Sequence, residues 1–386
     1  MGLRATPIRL ENTAARNLTF LLDVSGSMQP ENRLPLVKKA MKMLADTLRP
    51  EDRVGIVVYA GNTGVALKPT HGDRKDVIQR AIEELNAGGS TNGAAGIQLA
   101  YEMATENFIK GGINRVILAT DGDFNVGITS QSELVRLIEE KRQRGIFLSV
   151  LGVGDNNLKD STMEMLADKG NGNYSYLDSL QEARRVLIAE AGATLVTVAK
   201  DVKVQVEFNP RFVAAYRLIG YENRLLRKED FNNDRKDAGE MGAGHTVTAL
   251  YEIVPVGENV PATVDPLKYQ PQPKPAAAIS SNSTELMTVK VRYKEPQGDT
   301  SRLLEFPVRS DAPRMTPNLG FAAAVAEYGM LLRRSEHKGS ATWAQAVSLA
   351  KEHRGRDDDG YRAEFIRLAE LAAALDPVRT TSNSQR

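Results

Sequence analysis

Cysteine is absent from the 386 residues. Its absence excludes a disulfide framework, a thiolate-held zinc or iron–sulfur centre and a cysteine nucleophile. It leaves the compartment open, because a large domain outside the cytosol can do without disulfides. Histidine is almost as scarce: His71, His245, His337 and His353 are far apart and lack the HExxH spacing, so no histidine-built zinc site is expected. No run approaches the ~20 apolar residues of a membrane helix. The start, Met1-Gly2-Leu3-Arg4-Ala5-Thr6, lacks the long apolar stretch of a secretory signal, and Gly2 with Thr6 is too thin a match for myristoylation. A soluble chain is expected. One-sided charge is missing too: 50 basic side chains against 49 acidic give a net charge of +1, which removes any global reason to expect nucleic acid or an anionic membrane as partner.

What remains is an ordinary globular composition, with 41% hydrophobic and 26% charged residues, which argues against wholesale disorder. At about 150 residues per domain the length suggests two or three domains. Residues 17–192 alternate between short apolar runs and amphipathic stretches. Leu18–Asp23, Val54–Tyr59, Arg115–Thr120, Ile146–Val153 and Tyr174–Leu177 read as buried strands. Pro35–Leu48, Lys75–Leu85, Ala94–Phe108, Ser132–Arg144, Ser161–Lys169 and Leu180–Ala191 read as helices, several preceded by Asn or Ser as caps. Strands alternating with helices of this length predict an α/β fold, a doubly wound and mostly parallel six-stranded sheet, with Gly64–Pro69 as an antiparallel edge strand.

Beyond Ala193 the pattern changes. Val196–Phe208, Val213–Tyr221, Thr246–Val254, Leu286–Tyr293 and Leu303–Val308 alternate as half-buried strands without convincing helices between them, which predicts an antiparallel β-sandwich over 193–312. Pro255–Thr284 carries five prolines from Pro261 to Pro275 and reads as a mobile loop between two strands. Leu319–Arg333, Ala341–Glu352 and Gly360–Leu375 predict a helical segment within 313–386, with Thr380–Arg386 frayed. Leu3–Leu10 alternates weakly and is expected to pair with Val196–Phe208. That pairing would make residues 1–16 part of the sandwich and the 17–192 domain an insertion into it.

The sharpest chemical feature is Asp23-Val24-Ser25-Gly26-Ser27-Met28, directly after a strand. One carboxylate and two hydroxyls at alternate positions of a turn can converge, and all three are the hard oxygen donors that Mg²⁺, Mn²⁺ or Ca²⁺ prefers. Thr120-Asp121-Gly122-Asp123 follows a second strand, and Gly88-Gly89-Ser90-Thr91-Asn92-Gly93 offers one more hydroxyl just before a helix. If the two strands are neighbours where the strand order reverses, Asp23 and Asp121 face each other across the crevice. Taken alone, Asp23, Ser25 and Ser27 could also be a turn that caps the next helix.

Asp23-x-Ser25-x-Ser27, then Thr91, then Asp121, is similar to the metal-ion-dependent adhesion site of von Willebrand factor type A domains, over Asn17 to about Gly192. The resemblance implies one divalent cation, expected to be Mg²⁺, with Ser25, Ser27 and Thr91 touching it directly and Asp23 and Asp121 acting through water. Neutral direct ligands would leave the ion electrophilic, and an Asp or Glu from a protein partner would complete its shell. Ala249-Leu250-Tyr251-Glu252-Ile253 and Asp358-Asp359-Gly360-Tyr361-Arg362-Ala363-Glu364-Phe365 resemble a bacterial group of such proteins, the YfbK-like proteins. Members of that group look like cell-envelope proteins, longer at the N-terminus, so Met1 is expected to be a trimmed start.

Other chemistries fit less well. A haloacid-dehalogenase-type phosphatase would carry an aspartate where Ser25 stands, and the Gly88–Gly93 loop lacks the Lys-Ser/Thr ending of a P-loop. Gly152-Val153-Gly154 lacks the third glycine of a dinucleotide fingerprint and reads as a plain turn. No nucleophile elbow surrounds Ser25, and Ser335-Glu336-His337-Lys338 reads as a solvated helix end. Asp123 reads as a cap, Asp357-Asp358-Asp359 as the acidic start of the last helix, and Arg184-Arg185 and Arg333-Arg334 as solvated faces. No catalysis is expected. The expected function is non-enzymatic, metal-dependent protein binding, lost without loss of fold when Ser25→Ala and Asp121→Ala are made. The alternatives are a chaperone-like partner of an AAA+ ATPase using the same site, a Mg²⁺-dependent hydrolase acting at Asp23, and a scaffold whose site stays empty.

Overall fold

A computed structural model describes residues 1–7, 14–89, 93–122, 131–155, 159–189, 196–221, 225–236, 238–258, 284–296, 298–311 and 315–376. Thr91, Asp123, the prolines of the expected loop and the C-terminal end of the chain lie outside the described residues.

The chain opens with a short strand, β1 (Gly2–Arg4), and then builds an α/β unit from β2 (Arg16–Asp23), α1 (Leu34–Asp46), β3 (Arg53–Tyr59), β4 (Thr63–His71), α2 (Lys75–Glu83), α3 (Gly93–Glu106), β5 (Ile113–Thr120), α4 (Gln131–Gln143), β6 (Ile146–Val153), α5 (Asp160–Lys169), β7 (Tyr174–Leu177) and α6 (Leu180–Arg184). The sheet order is β4-β3-β2-β5-β6-β7. Every neighbouring pair is parallel except β3 and β4, so the doubly wound sheet with an antiparallel edge is as expected. α6 passes into a π turn at Arg185–Ala189, and the expected end of that helix at Ala191 lies outside the described residues.

Period-two alternation explains how the sheet is covered on both faces. Leu18, Phe20 and Leu22 of β2 share one core with Val37, Met41 and Leu44 of α1. Leu21 points the other way and joins Val57 of β3 and Ile97, Ala100 and Tyr101 of α3. The connections leaving β2 and entering β5 therefore run on opposite faces. β2 and β5 are adjacent, with Leu22 beside Ala119. This is the point where the strand order reverses, the place beyond the carboxyl ends of the strands where open α/β sheets carry their sites.

The antiparallel part comprises β8 (Thr197–Phe208), β9 (Val213–Ile219), β10 (Gly239–Gly242), β11 (Thr246–Thr248), β12 (Leu250–Pro255), β13 (Glu285–Lys294) and β14 (Ser301–Arg309). One sheet has the order β10-β8-β13-β14. A β9–β12 ribbon meets it through Phe208, whose ring centroid is 4.6 Å from Tyr216 and 5.4 Å from Tyr251. Two expectations change here. Thr246–Val254 is not one strand: Ala249 interrupts it, with its N–H donating to the Met1 carbonyl and its own carbonyl accepting from the Met1 amine. The N-terminal strand does not pair with Val196–Phe208 either. Gly2–Arg4 pairs with Thr246–Thr248, because β8 already has β10 and β13 on its two edges. A helical trio, α7 (Pro317–Leu332), α8 (Trp343–Glu352) and α9 (Tyr361–Leu375), closes the chain around Ala324, Ala350 and Ile366, with Phe321 and Phe365 against them.

At the end of the α/β sheet opposite those carboxyl ends, Arg16 and Asp52 form a wholly buried ion pair. Arg16 Nη2 donates to Asp52 Oδ2 at 2.6 Å and Arg16 Nε to the same oxygen at 3.1 Å, while the Arg16 and Arg49 N–H groups also donate to the carboxylate. Burial alone would raise the Asp52 carboxyl, but these hydrogen bonds and the Arg16 charge outweigh it and hold it below the ordinary value. A lowered carboxyl contributes its stability in full above the unfolded value near pH 4, and loses it as pH falls through the lower folded value. Asp52→Asn, which breaks a buried pair, should cost about 3 kcal/mol at neutral pH. Urea unfolding from pH 7 to pH 3 should show the difference from the native chain shrinking below about pH 4. An equal difference at every pH would contradict this account.

Candidate functional site

Asp23 ends β2 and is fully buried, yet its two oxygens accept from three neighbouring residues. Oδ1 accepts from the Ser25 N–H at 2.9 Å, which closes the turn and points both serines the same way. Oδ2 accepts from the Tyr59 hydroxyl and from Thr120 Oγ1, each at 3.2 Å. Burial raises the Asp23 carboxyl, the Ser25 hydrogen bonds lower it, and the charge of Asp121 raises it again, for a net upward shift. The same burial and the Asp23 charge push the Tyr59 phenol well up, so it stays protonated as the donor.

The two hydroxyls converge as the spacing predicts: Ser25 Oγ lies 3.0 Å from Ser27 Oγ. The turn is fastened to its neighbours by backbone bonds. Val24 N–H donates to the Tyr59 carbonyl at 3.0 Å, Gly26 N–H to the Gly89 carbonyl at 3.0 Å, and Gly88 N–H to the Val24 carbonyl at 2.7 Å. The glycine-rich loop that leads into Thr91 is therefore docked directly on the serine turn. Thr91 itself, like Asp123, lies outside the described residues.

Asp121 follows β5 and is 1% exposed. Its Oδ2 accepts from Arg33 Nη1 at 2.5 Å. Its Oδ1 is buried and has no hydrogen-bond partner among the described residues. A buried carboxylate oxygen without a donor is costly unless a proton or a cation meets it. Among the described residues no group of three or more His, Asp and Glu could hold a metal ion, so a cation here would depend on hydroxyls as well as on carboxylates. The Ser25 and Ser27 hydroxyls, with the buried carboxylates of Asp23 and Asp121 at the neighbouring strand ends, are hard-oxygen groups of the kind that suits Mg²⁺.

Three functional neighbours escaped the sequence reading. Thr120 stood in the quoted segment without a role, and Tyr59 ends the adjacent strand, a position that strand order alone could have pointed to. Arg33 had no signal, since its partner lies 88 residues further along the chain.

Comparison with known families agrees with the fold. Residues 17–187 match the family described as von Willebrand factor type A domain, so the α/β unit is a domain of that class, one that fits a protein-interaction module. Residues 193–375 match the family described as Uncharacterized protein YfbK, C-terminal. The chain thus carries a von Willebrand factor type A domain followed by a YfbK C-terminal domain. It is 49% identical over 368 residues to YfbK of Escherichia coli (strain K12), an alignment covering 95% of this chain and 63% of that protein. It is 30% identical over 151 residues to human inter-alpha-trypsin inhibitor heavy chain H2, covering 36% of this chain and 15% of that protein. Among solved structures, a von Willebrand factor type A protein from Catenulispora acidiphila aligns with a TM-score of 0.45 at 17% identity, covering 88% of this chain and 80% of that one. The chain thus spans less than two thirds of the length of either curated relative.

The Arg33–Asp121 pair revises one expectation from sequence. Removing Asp121 strands a buried guanidinium, so Asp121→Ala is not neutral to the fold. It should lower the unfolding free energy by about 3 kcal/mol, whereas Ser25→Ala should cost about 1 kcal/mol. Equal costs in denaturant titrations would contradict the pairing.

Proposed function

We propose that this protein is a non-enzymatic binding module whose grip on a protein partner depends on a divalent cation, Mg²⁺ in preference to Mn²⁺ or Ca²⁺. The observation that carries the reading is the pair of Ser25 and Ser27 hydroxyls 3.0 Å apart on a turn that Arg33 ties to Asp121, whose buried Oδ1 has no hydrogen-bond partner among the described residues, at the point where the sheet order reverses. A divalent cation held there supplies concentrated positive charge and an open coordination position. Ser25, Ser27 and Thr91 would hold it directly, with Asp23 and Asp121 behind them, and an Asp or Glu of the partner would complete the shell. Asp23 orients the turn; with both oxygens already accepting hydrogen bonds and no exposure, it is poorly placed as the nucleophile of a hydrolase.

The same reading treats residues 17–192 as a domain inserted into a discontinuous one formed by 1–16 and 193–312, followed by helices over 313–386. The pairing of Gly2–Arg4 with Thr246–Thr248 supports it. The compartment proposed is the bacterial cell envelope, on the likeness to YfbK-like proteins. Among the described residues no helix is long and apolar enough to cross a membrane.

The test is a quantitative pull-down from envelope and soluble fractions with the native chain and Ser25→Ala, in Mg²⁺ and in EDTA. A partner retained by the native chain in Mg²⁺, and lost at least tenfold in EDTA and with Ser25→Ala, is the expected result. Retention that is equal in EDTA would overturn it and move binding to the antiparallel sheets or the helices.

A further inference from the structure

Arg33 is a basic side chain folded inward over the candidate cation site. The residue is 7% exposed, although it sits in the turn that leads into α1. Its Nη1 donates to Asp121 Oδ2 at 2.5 Å and to the Ser27 carbonyl at 2.8 Å. On its other side it runs against Gly154, just past β6. A Cβ on Gly154 would lie 2.5 Å from Arg33 Nε, and Gly154 adopts φ +80°. The Gly152-Val153-Gly154 turn, which showed no nucleotide chemistry, thus leaves the room that this guanidinium occupies. Loops after β2, β5 and β6 all meet at one fixed charge.

The charge balance gives that contact its consequence. Asp23 and Asp121 bring two negative charges to adjacent strand ends, and Arg33 brings a fixed positive charge. We propose that Arg33 is a built-in countercharge of the cation site, which holds the site together without metal and sets its affinity for a divalent cation low. The proposal rests on the metal reading above. With Arg33 in place, the carboxylates avoid unbalanced repulsion, but one oxygen of Asp121 is taken and an incoming cation meets a like charge. Occupancy of the site then responds to ion concentration and to an anionic partner, instead of being permanent.

The test is a calorimetric titration of Mg²⁺ and of Mn²⁺ into the full chain, the Arg33→Gln variant and the double variant Arg33→Gln with Asp121→Asn. Thermal melts in EDTA and in Mg²⁺ accompany each titration. Arg33→Gln should bind the cation about tenfold to a hundredfold more tightly than the native chain. It should also melt lower in EDTA and gain more from Mg²⁺. The double variant, which removes both charges, should recover the EDTA melting temperature and lose the tightening. Cation binding by the native chain and by Arg33→Gln with the same affinity, or more weakly by Arg33→Gln, overturns the proposal and leaves the metal reading standing. Failure of both to bind either ion overturns the metal reading, and the proposal with it. If Arg33→Gln folds only with Mg²⁺, the double variant decides: a normal melt in EDTA is the expected result, and a melt as poor as that of Arg33→Gln overturns the charge compensation.

Discussion

Two carboxylates end adjacent parallel strands, both out of contact with water, and the surrounding structure is organised to make that tolerable. Buried like charges repel and lose their hydration, so each needs compensation from nearby groups. Asp23 receives it from dipoles: a backbone N–H, a phenol and a threonine hydroxyl. Asp121 receives it from a full charge, Arg33, on one oxygen only. That asymmetry separates their roles. Asp23 accepts on both oxygens and stiffens the serine turn, while Asp121 keeps one buried oxygen without a donor among the described residues.

The sheet makes the arrangement possible because its register is fixed on both sides of β2. Asn17 to Asp23 pair one for one with Arg53 to Tyr59, and Arg16 to Leu22 pair with Ile113 to Ala119. A slip of one residue in β2 would send Asp23 to the opposite face and break the Tyr59 contact. The apolar cores on the two faces therefore do more than stabilise the unit. They lock the strand ends at which the site is assembled, and the buried Arg16–Asp52 pair fastens the far end of the same strand.

What was readable from the chain follows physical range. Strands buried on both faces are continuous apolar runs, so Leu18–Asp23 and Arg115–Thr120 announced themselves, and the turn Asp23–Ser27 carries its chemistry within five residues. Arg33 and Tyr59 act on residues 88 and 36 positions away, and nothing local distinguishes them from a loop arginine and a strand aromatic. The antiparallel part was harder. β10 is Gly-Glu-Met-Gly, with no alternation to read. The break at Ala249 comes from a hydrogen-bonded pair with Met1, 248 residues away. On β14 the apolar residues Leu303, Leu304 and Phe306 stay exposed, so its alternation does not report a packed face.

The binding mechanism turns on the position of one ion, and anomalous scattering reads that position directly. Crystals of the full chain soaked in Mn²⁺ and measured at the manganese edge should show a peak within coordination distance of the Ser25 and Ser27 hydroxyls, beside Asp121 and on the side of its Oδ1. A peak elsewhere, or no peak there while Arg33 keeps its contact with Asp121, would contradict it.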